Sequence, residues 1–285
     1  MTIRDSTSVG IYTVYLYKTR ESSLTERSCH AAGFDDTKRR TTNDGRRTTN
    51  NDMAPMEIGY WAIRGLGAPA RMMLAYAGDA VEYNDVRYTD PMEWFGKRKP
   101  ELLAKNAMAN LPYVVDGDRV VVHSNAVYEY LGMKTGVDAF ENDDGRWDNA
   151  QACCEAYDLR NSLMDMVYPG KKSTRSMDEY KENIAPYLSS KVPTYYGKFQ
   201  AWLEQRKTKF LVKDTVSSSD FHLWELIDQH EVIAEKEGLP SPLEAFPRLK
   251  TYYADFKALP QLQSYFASDA HALAMNSAAG GAHVL

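Results

Sequence analysis

The spacing of hydrophobic and polar positions changes twice along this chain, near residue 53 and near residue 138. Between these points, apolar runs of strand length alternate with helical repeats, and beyond them only helical repeats occur. In order, the middle stretch predicts a strand (MEIGYWAI, 56–63), a helix (GLGAPARMMLAYAG, 65–78), a strand (VEYNDVRY, 81–88), a hairpin (YVVDGDRVVVH, 113–123) and a helix (SNAVYEYLG, 124–132). This order is that of a thioredoxin-like layer.

The last stretch carries four segments with apolar stripes at helical spacing. They are WDNAQACCEAYDLRNSLMDMVY (147–168), VPTYYGKFQAWLEQR (192–206), DFHLWELIDQHEVIAEKEG (220–238) and PRLKTYYADFKAL (247–259). We therefore predict an α/β + all-α fold. Its predicted parts are a thioredoxin-like domain over 54–138, an all-helical domain over 140–265 and a tail over 266–285.

Residues 1–52 are polar, rich in Ser and Thr, and end in a short tandem repeat, RRTTND followed by RRTTNND. Such a composition cannot bury enough apolar surface to offset its ordering entropy, so we predict a disordered or non-native extension. A targeting segment is the alternative, although the apolar run at 9–17 lacks a basic n-region and an A-x-A site.

Composition excludes several classes of function. The formal net charge of −5 over 285 residues gives no general affinity for nucleic acid. No apolar run approaches the roughly 20 residues that cross a bilayer, so no membrane partner is expected. Three cysteines without a C-x-x-C spacing make neither a disulfide framework nor a zinc site. We therefore expect no metal and a soluble protein in the reducing cytoplasm.

Two short motifs frame a candidate site for an acidic peptide. In Asn110-Leu111-Pro112-Tyr113, the proline that opens a strand predicts a cis bond, which leaves the backbone N–H and C=O of Leu111 for an extended ligand. In His123-Ser124, a helix start with Ser124 as its N-cap offers N–H groups and a hydroxyl to a carboxylate. An ordinary loop proline and simple capping are the alternatives for each motif alone.

Tyr60 lies toward the end of the first predicted strand, at the carboxyl edge where ligands of open α/β sheets bind. A neutral phenol, with a pKa near 10, can donate a hydrogen bond to a thiolate and keep its proton. Lowering a ligand thiol's pKa by about two units corresponds to roughly 2.7 kcal/mol of preferential thiolate stabilisation. Tyr60 is therefore the candidate catalytic residue.

From Met53 onward the sequence resembles a cytosolic glutathione transferase, closest to the mu class. The motifs that carry this resemblance are GYWAIRGL (59–66), NLPY (110–113), HSNA (123–126), the capping box Ser217-x-x-Asp220 and FPRLKTYY (246–253). The resemblance implies a homodimeric, cytoplasmic detoxification enzyme. It would conjugate glutathione, as co-substrate, to small hydrophobic electrophiles without a cofactor.

The resemblance also assigns roles to single residues. Tyr60 would donate to the glutathione thiolate, Leu111 beside Pro112 would bind the cysteinyl backbone, and His123 and Ser124 would bind the γ-glutamyl carboxylate. The remaining expected contacts are Trp61, Trp94, Arg98 and Asn110 for the rest of glutathione, mainly its glycyl end, Asp158 for the neighbouring subunit's glutathione, Tyr168 for the electrophile and Arg64 as a helper.

Three departures from the mu pattern keep alternatives open. His123 stands where that class usually has glutamine, the loop between Tyr88 and Trp94 is short, and Met108 replaces the aromatic residue that locks mu dimers. The alternatives are a sigma-like glutathione-dependent isomerase and a non-catalytic ligand-binding or structural member of the same fold.

Overall fold

The computed structural model describes residues 54–168 and 176–276, which lie within a single compact unit, Thr49–Leu285. The prediction for residues 1–52 falls outside the described residues. Within the described ranges, no helix is both long enough and apolar enough to span a bilayer.

A four-stranded sheet with the strand order β2-β1-β3-β4 forms the first part of the described chain. Strands β1 and β2 run parallel, whereas β3 is antiparallel to both β1 and β4. The elements are β1 (Met56–Trp61), α1 (Gly67–Ala77), β2 (Tyr83–Tyr88), α2 (Lys99–Leu103, after a π-helical turn at Glu93–Arg98), β3 (Tyr113–Asp116), β4 (Arg119–Val122) and α3 (Ser124–Lys134). The predicted thioredoxin-like layer is confirmed.

The second part is helical. Its elements are α4 (Asp143–Val167), α5 (Met177–Pro186, continued by a π-helical turn at Tyr187–Lys191), α6 (Val192–Arg206), α7 (Ser218–Lys236), α8 (Pro247–Lys257) and α9 (Gln263–Phe266). The four predicted helices are α4, α6, α7 and α8. Helix α5 has a local signal that the prediction overlooked, since Ser176 accepts a hydrogen bond from the N–H of Glu179. Helix α9 is too short to show a period.

Helix α3 corrects the predicted N-cap. The helix begins at Ser124, and the capping position belongs to His123, whose C=O accepts the first intrahelical bond from Val127 N–H at 2.9 Å. His123 has φ 69° and ψ 134°, which are not helical angles. Ser124 is therefore the first helical residue, and the helix runs to Lys134, beyond the predicted end at Gly132.

Helix α7 is the central element of the core and packs against α1, α3 and α4. The predicted capping box starts it. One oxygen of the Asp220 carboxylate accepts from Ser217 N–H at 2.8 Å, and the other accepts from Leu211 N–H at 2.9 Å. Asp220 is fully buried, so these bonds replace the water that the carboxylate loses.

Arg64, expected as a helper at the ligand, instead forms a buried ion cluster with α7. Its guanidinium donates to both carboxylate oxygens of Glu225, at 2.9 and 2.8 Å, and to Asp228 at 2.6 Å. Gln229 donates to Glu225 at 2.6 Å and Tyr253 to Asp228 at 2.6 Å. All of these hydrogen bonds join protein side chains to one another, so we assign Arg64 a structural role.

Replacing Arg64 should therefore destabilise the fold strongly. Arg64→Met leaves Glu225 and Asp228 buried without their cation, and a loss of about 3–5 kcal/mol in the free energy of unfolding is expected. The measurement is urea unfolding at pH 7. Lys250→Ala is the control, because it breaks an exposed pair with Glu244 and should cost about 1 kcal/mol or less. Equal losses in the two variants would contradict the structural role of Arg64.

Candidate active site

The strand register brings the three predicted motifs to one edge of the sheet. Gly59 of β1 lies opposite Tyr113 of β3, and Tyr113 lies opposite Val122 of β4. Tyr60 follows Gly59, Pro112 precedes Tyr113 and His123 follows Val122. Because neighbouring strands are about 4.8 Å apart, the backbones of the three motifs are adjacent.

Tyr60 is buried near the end of β1. Burial raises the pKa of Tyr60 above its ordinary value, and the nearby backbone of Leu66 opposes only part of that rise. The phenol is therefore neutral throughout the physiological range, and it keeps its O–H proton to donate.

Two glycines let the loop after β1 approach the Tyr60 ring. Gly65 has φ 38°, in the left-handed region. A Cβ on Gly67 would lie 2.7 Å from Tyr60 Cδ1 and 2.8 Å from an Arg71 guanidinium nitrogen. A side chain at Gly67 would thus displace the tyrosine, so the loop sequence fixes the position of the phenol.

The peptide bond between Leu111 and Pro112 is cis, as predicted. The backbone N–H of Leu111 was expected to be free, but it donates to Oδ1 of Asn110 at 3.0 Å. Asn110 is exposed, so its amide can turn away and release this donor to a ligand. The side chain of Asn110 thus takes the place that was predicted for the ligand's acceptor.

His123 is held in a backbone conformation that costs energy. Its φ of 69° lies in the region that residues with a Cβ rarely adopt. Such strain amounts to about 1–3 kcal/mol and clusters at ligand-binding sites. The imidazole is exposed and stands directly before the N-terminal turn of α3.

Three of the predicted glutathione contacts lie on the other face of the sheet from Tyr60. Trp61 packs edge-on against Tyr88, and Trp94 stacks on Tyr113 at 5.8 Å with only 1% of its surface exposed. Arg98 is engaged by Glu57 at 2.7 Å and by Glu101 at 2.8 Å. These side chains can contact a ligand beside Tyr60 only if the ligand extends around the end of β1. To bind such a ligand, Arg98 would have to release Glu57 and Glu101.

A narrow pocket adjoins Tyr60, between its loop and helices α4 and α7. Tyr168, the predicted contact for the electrophile, lines this pocket at the end of α4. Asp158 is on the same helix, and its side chain is exposed. The other lining residues include Arg160 and Met164 from α4 and His222, Leu226 and Gln229 from α7. Arg160 and Met164 precede Tyr168 by eight and four positions, so helical spacing alone could have placed them on its face. No local signal marks the α7 residues.

The C-terminal end of the described chain covers this pocket. Arg64 N–H donates to Ala274 C=O at 2.8 Å and Gly65 N–H donates to Met275 C=O at 3.1 Å. Met275 and Asn276 are buried and line the pocket. The predicted tail over 266–285 is thus packed on the core as far as residue 276.

Comparison with known proteins agrees with this geometry. A family model described as the glutathione S-transferase N-terminal domain matches residues 56–133, and one described as the glutathione S-transferase C-terminal domain matches residues 157–269. The chain belongs to the glutathione S-transferase family. Among curated relatives, this transferase is 28% identical to glutathione S-transferase Mu 1 of Oryctolagus cuniculus, over 75% of its own length and 91% of the relative's. It is 29% identical to glutathione S-transferase Mu 2 of Rattus norvegicus, with the same coverage.

Solved structures show the same fold. The glutathione S-transferase Blo t 8 superimposes on the transferase with a TM-score of 0.64 at 25% identity, covering 78% of this chain and 96% of that one. The pi-class glutathione S-transferase of Onchocerca volvulus gives a TM-score of 0.64 at 24% identity, covering 79% and 99%. The transferase is an enzyme of this family with a mu-like sequence.

The strain at His123 can be tested with two variants that both lack the imidazole. His123→Gly should be more stable than His123→Ala by about 1 kcal/mol, because only glycine tolerates a positive φ without a Cβ clash. The free energy of unfolding in urea measures the difference. An alanine variant as stable as the glycine variant would show that the backbone at residue 123 is not strained.

Proposed function

We propose that Tyr60 donates a hydrogen bond to the thiolate of bound glutathione, which attacks small hydrophobic electrophiles. The observation that supports this most is the register of β1, β3 and β4, which sets Tyr60, Leu111-Pro112 and His123-Ser124 side by side. A phenol alone is no evidence of catalysis. A phenol beside a peptide-binding backbone and an anion-binding helix start fits a thiol-bearing acidic peptide.

The electrostatics of Tyr60 suit this role. Because its pKa is raised, the phenol stays protonated, and its O–H group can donate a hydrogen bond to the glutathione sulfur. Stabilising the thiolate by about 2.7 kcal/mol lowers the pKa of the glutathione thiol by about two units.

The glutathione backbone then follows the edge of the sheet. Leu111 pairs with its cysteinyl group once Asn110 releases the Leu111 N–H. His123 and Ser124, with the first-turn N–H groups of α3, receive the γ-glutamyl carboxylate. The glycyl end lies toward Trp61, with Trp94 and Arg98 behind it. Because Arg98 is paired with two carboxylates, we propose a smaller contribution from it than from the α3 start.

Tyr60→Phe should separate thiolate stabilisation from binding. Near pH 6.5 the variant should lose about 100-fold in kcat/KM for an aryl halide, and the loss should shrink as the pH rises. The reason is that solvent hydroxide ionises the thiol without help at high pH. The pH profile of kcat/KM from 5.5 to 8.5 gives the shift, and calorimetry of glutathione binding shows whether affinity is retained.

Tyr76→Phe is the matched control, since it removes a phenol of α1 outside the pocket lining. Its pH profile should overlay that of the wild type. Equal rates for Tyr60→Phe and wild type, or tight glutathione binding with no turnover by either, would contradict the mechanism. The second result would favour a non-catalytic ligand carrier.

We also propose a cytoplasmic mu-like homodimer, in which Met108 anchors each subunit to the other. Met108 is 71% exposed, in the loop between α2 and β3. A groove of about 180 Å³ lies between α4 and α6, and its lining includes Ala152, Phe199 and Trp202. A flexible thioether from a second copy can fill such an irregular apolar groove. Asp158, exposed on α4, would then face the neighbouring subunit's glutathione.

Met108→Glu should dissociate this dimer, because a carboxylate loses its water when it enters an apolar groove. The dimer dissociation constant should rise by about 100-fold or more, as measured by sedimentation equilibrium. Met92→Glu, which adds the same charge at another methionine that is 64% exposed, should leave the constant unchanged. If both variants sediment as the wild type does, Met108 is not an anchor.

A further inference from the structure

The candidate peptide-binding edge of the sheet continues beyond β1. Trp61 lies opposite Tyr88 of β2, and the N–H of Ala62 donates to the Tyr88 C=O at 2.9 Å. The carboxyl ends of β4, β1 and β2 and the amino end of β3 therefore follow one another along this edge, about 4.8 Å apart. A ligand that runs from the start of α3 past Leu111 and around the end of β1 points next toward the segment after Tyr88.

An exposed apolar surface lies at that position. Phe95 is 55% exposed, and its ring centroid lies 6.0 Å from that of Trp61, which is itself only half-buried. The methyl group of Met92 lies beside Gly96, where an added Cβ would be 2.8 Å from it, and Met92 is 64% exposed. We call Trp61, Met92 and Phe95 the outer patch. A single exposed apolar residue is ordinary, but a contiguous group next to a ligand edge indicates a contact surface.

The cation expected for a glycyl carboxylate does not face the outer patch. The Arg98 guanidinium donates to Glu57 at 2.7 Å, to Glu101 at 2.8 Å and to the Tyr113 hydroxyl at 3.3 Å. Glu57 precedes Trp61 by four positions on the same face of β1, which is about 13 Å along the strand. All three guanidinium nitrogens are thus engaged toward the opposite end of β1, so Arg98 offers no counter-ion to a carboxylate beside Trp61.

Lys99 supplies a cation on the outer side of the patch. Its Nζ lies 5.7 Å from the centre of the Phe95 ring, and it forms no ion pair with a carboxylate of residues 54–168 or 176–276. Asp90 accepts from the Met92 N–H at 2.8 Å, so the end of the patch next to β2 carries negative charge. This distribution of charge favours a ligand whose terminal carboxylate lies beyond the patch, at Lys99, rather than on a glycine beside Trp61.

We propose that the candidate site accepts γ-glutamyl-cysteinyl-glycyl peptides extended by one apolar residue, as well as glutathione itself. One extended residue adds about 3.3–3.6 Å of chain, which carries the ligand from Trp61 onto the outer patch. The fourth side chain lies on Phe95, and the terminal carboxylate pairs with Lys99. This inference rests on the proposed function, because the thiolate is the one held by Tyr60.

The test compares three thiol peptides with one aryl halide. They are glutathione, γ-Glu-Cys-Gly-Phe and γ-Glu-Cys-Gly-Ser, and the last two share length and charge and differ only in the apolar ring. In the wild type, kcat/KM for the phenylalanine peptide should at least equal that for glutathione. It should exceed that for the serine peptide about tenfold, because only the phenyl ring buries apolar surface on the patch.

Phe95→Ser should lower the ratio of the phenylalanine to the serine peptide to about twofold or less. The ratio cancels any loss of folded enzyme. Met133→Ser is the matched control, because it removes an apolar side chain of α3 that is 60% exposed, and it should leave the ratio unchanged. A ratio in Phe95→Ser equal to that of the wild type would overturn the assignment.

Lys99→Met tests the position of the terminal carboxylate. It should weaken both extended peptides by about threefold to fivefold, the scale of one exposed ion pair, and should affect glutathione less. An equal loss with glutathione would show that Lys99 binds the glycyl carboxylate, and the extended-peptide site would then be wrong.

The outcomes also distinguish this inference from the proposed function. If the wild type conjugates glutathione but rejects both extended peptides, only the extended-peptide site fails. If the wild type conjugates none of the three thiol peptides, the proposed function itself fails.

Discussion

The described structure depends on one buried guanidinium. Arg64 lies three residues after Trp61, the last residue of the strand that carries the candidate catalytic tyrosine, and it binds two carboxylates of α7, Glu225 and Asp228. Desolvating three charges is expensive, so the cluster persists only because each is hydrogen-bonded inside the protein. Its benefit is positional: it fixes the sheet against the central helix, and the candidate active site lies at that junction.

Geometry around the phenol follows from this anchor. The backbone after Arg64 turns through Gly65, where an added Cβ would lie 3.1 Å from the Tyr60 hydroxyl oxygen. The same short loop holds the C-terminal segment through Ala274 and Met275 carbonyls. One turn of chain therefore positions the donor, joins the two parts of the fold and closes the pocket. We therefore expect a substitution of Arg64 to displace the Tyr60 phenol and weaken its proposed hydrogen bond to the thiolate, even though Arg64 contacts no ligand in the proposed site.

The two ligand sides of the site have different origins. The proposed glutathione side is built from backbone groups of strand ends and a helix start, which any sequence with this register supplies. The proposed electrophile side is lined by side chains of α4 and α7. We therefore infer that selectivity toward electrophiles depends on these side chains rather than on the fold. This division explains how one fold serves many acceptors.

The sequence by itself determined the elements and the backbone half of the site. The strand at Tyr60, the hairpin turning at Gly117 and the capping box at Asp220 are read from neighbouring residues, whose periods and turn chemistry act locally. Tertiary structure alone decided the partners. Arg64 meets Glu225 across 161 positions, and Arg98 turns to Glu57. The ring of His222 faces the pocket with no hydrogen-bond partner among the residues that the structure describes. The burial and orientation of these side chains depend on how helices pack, which no local pattern records.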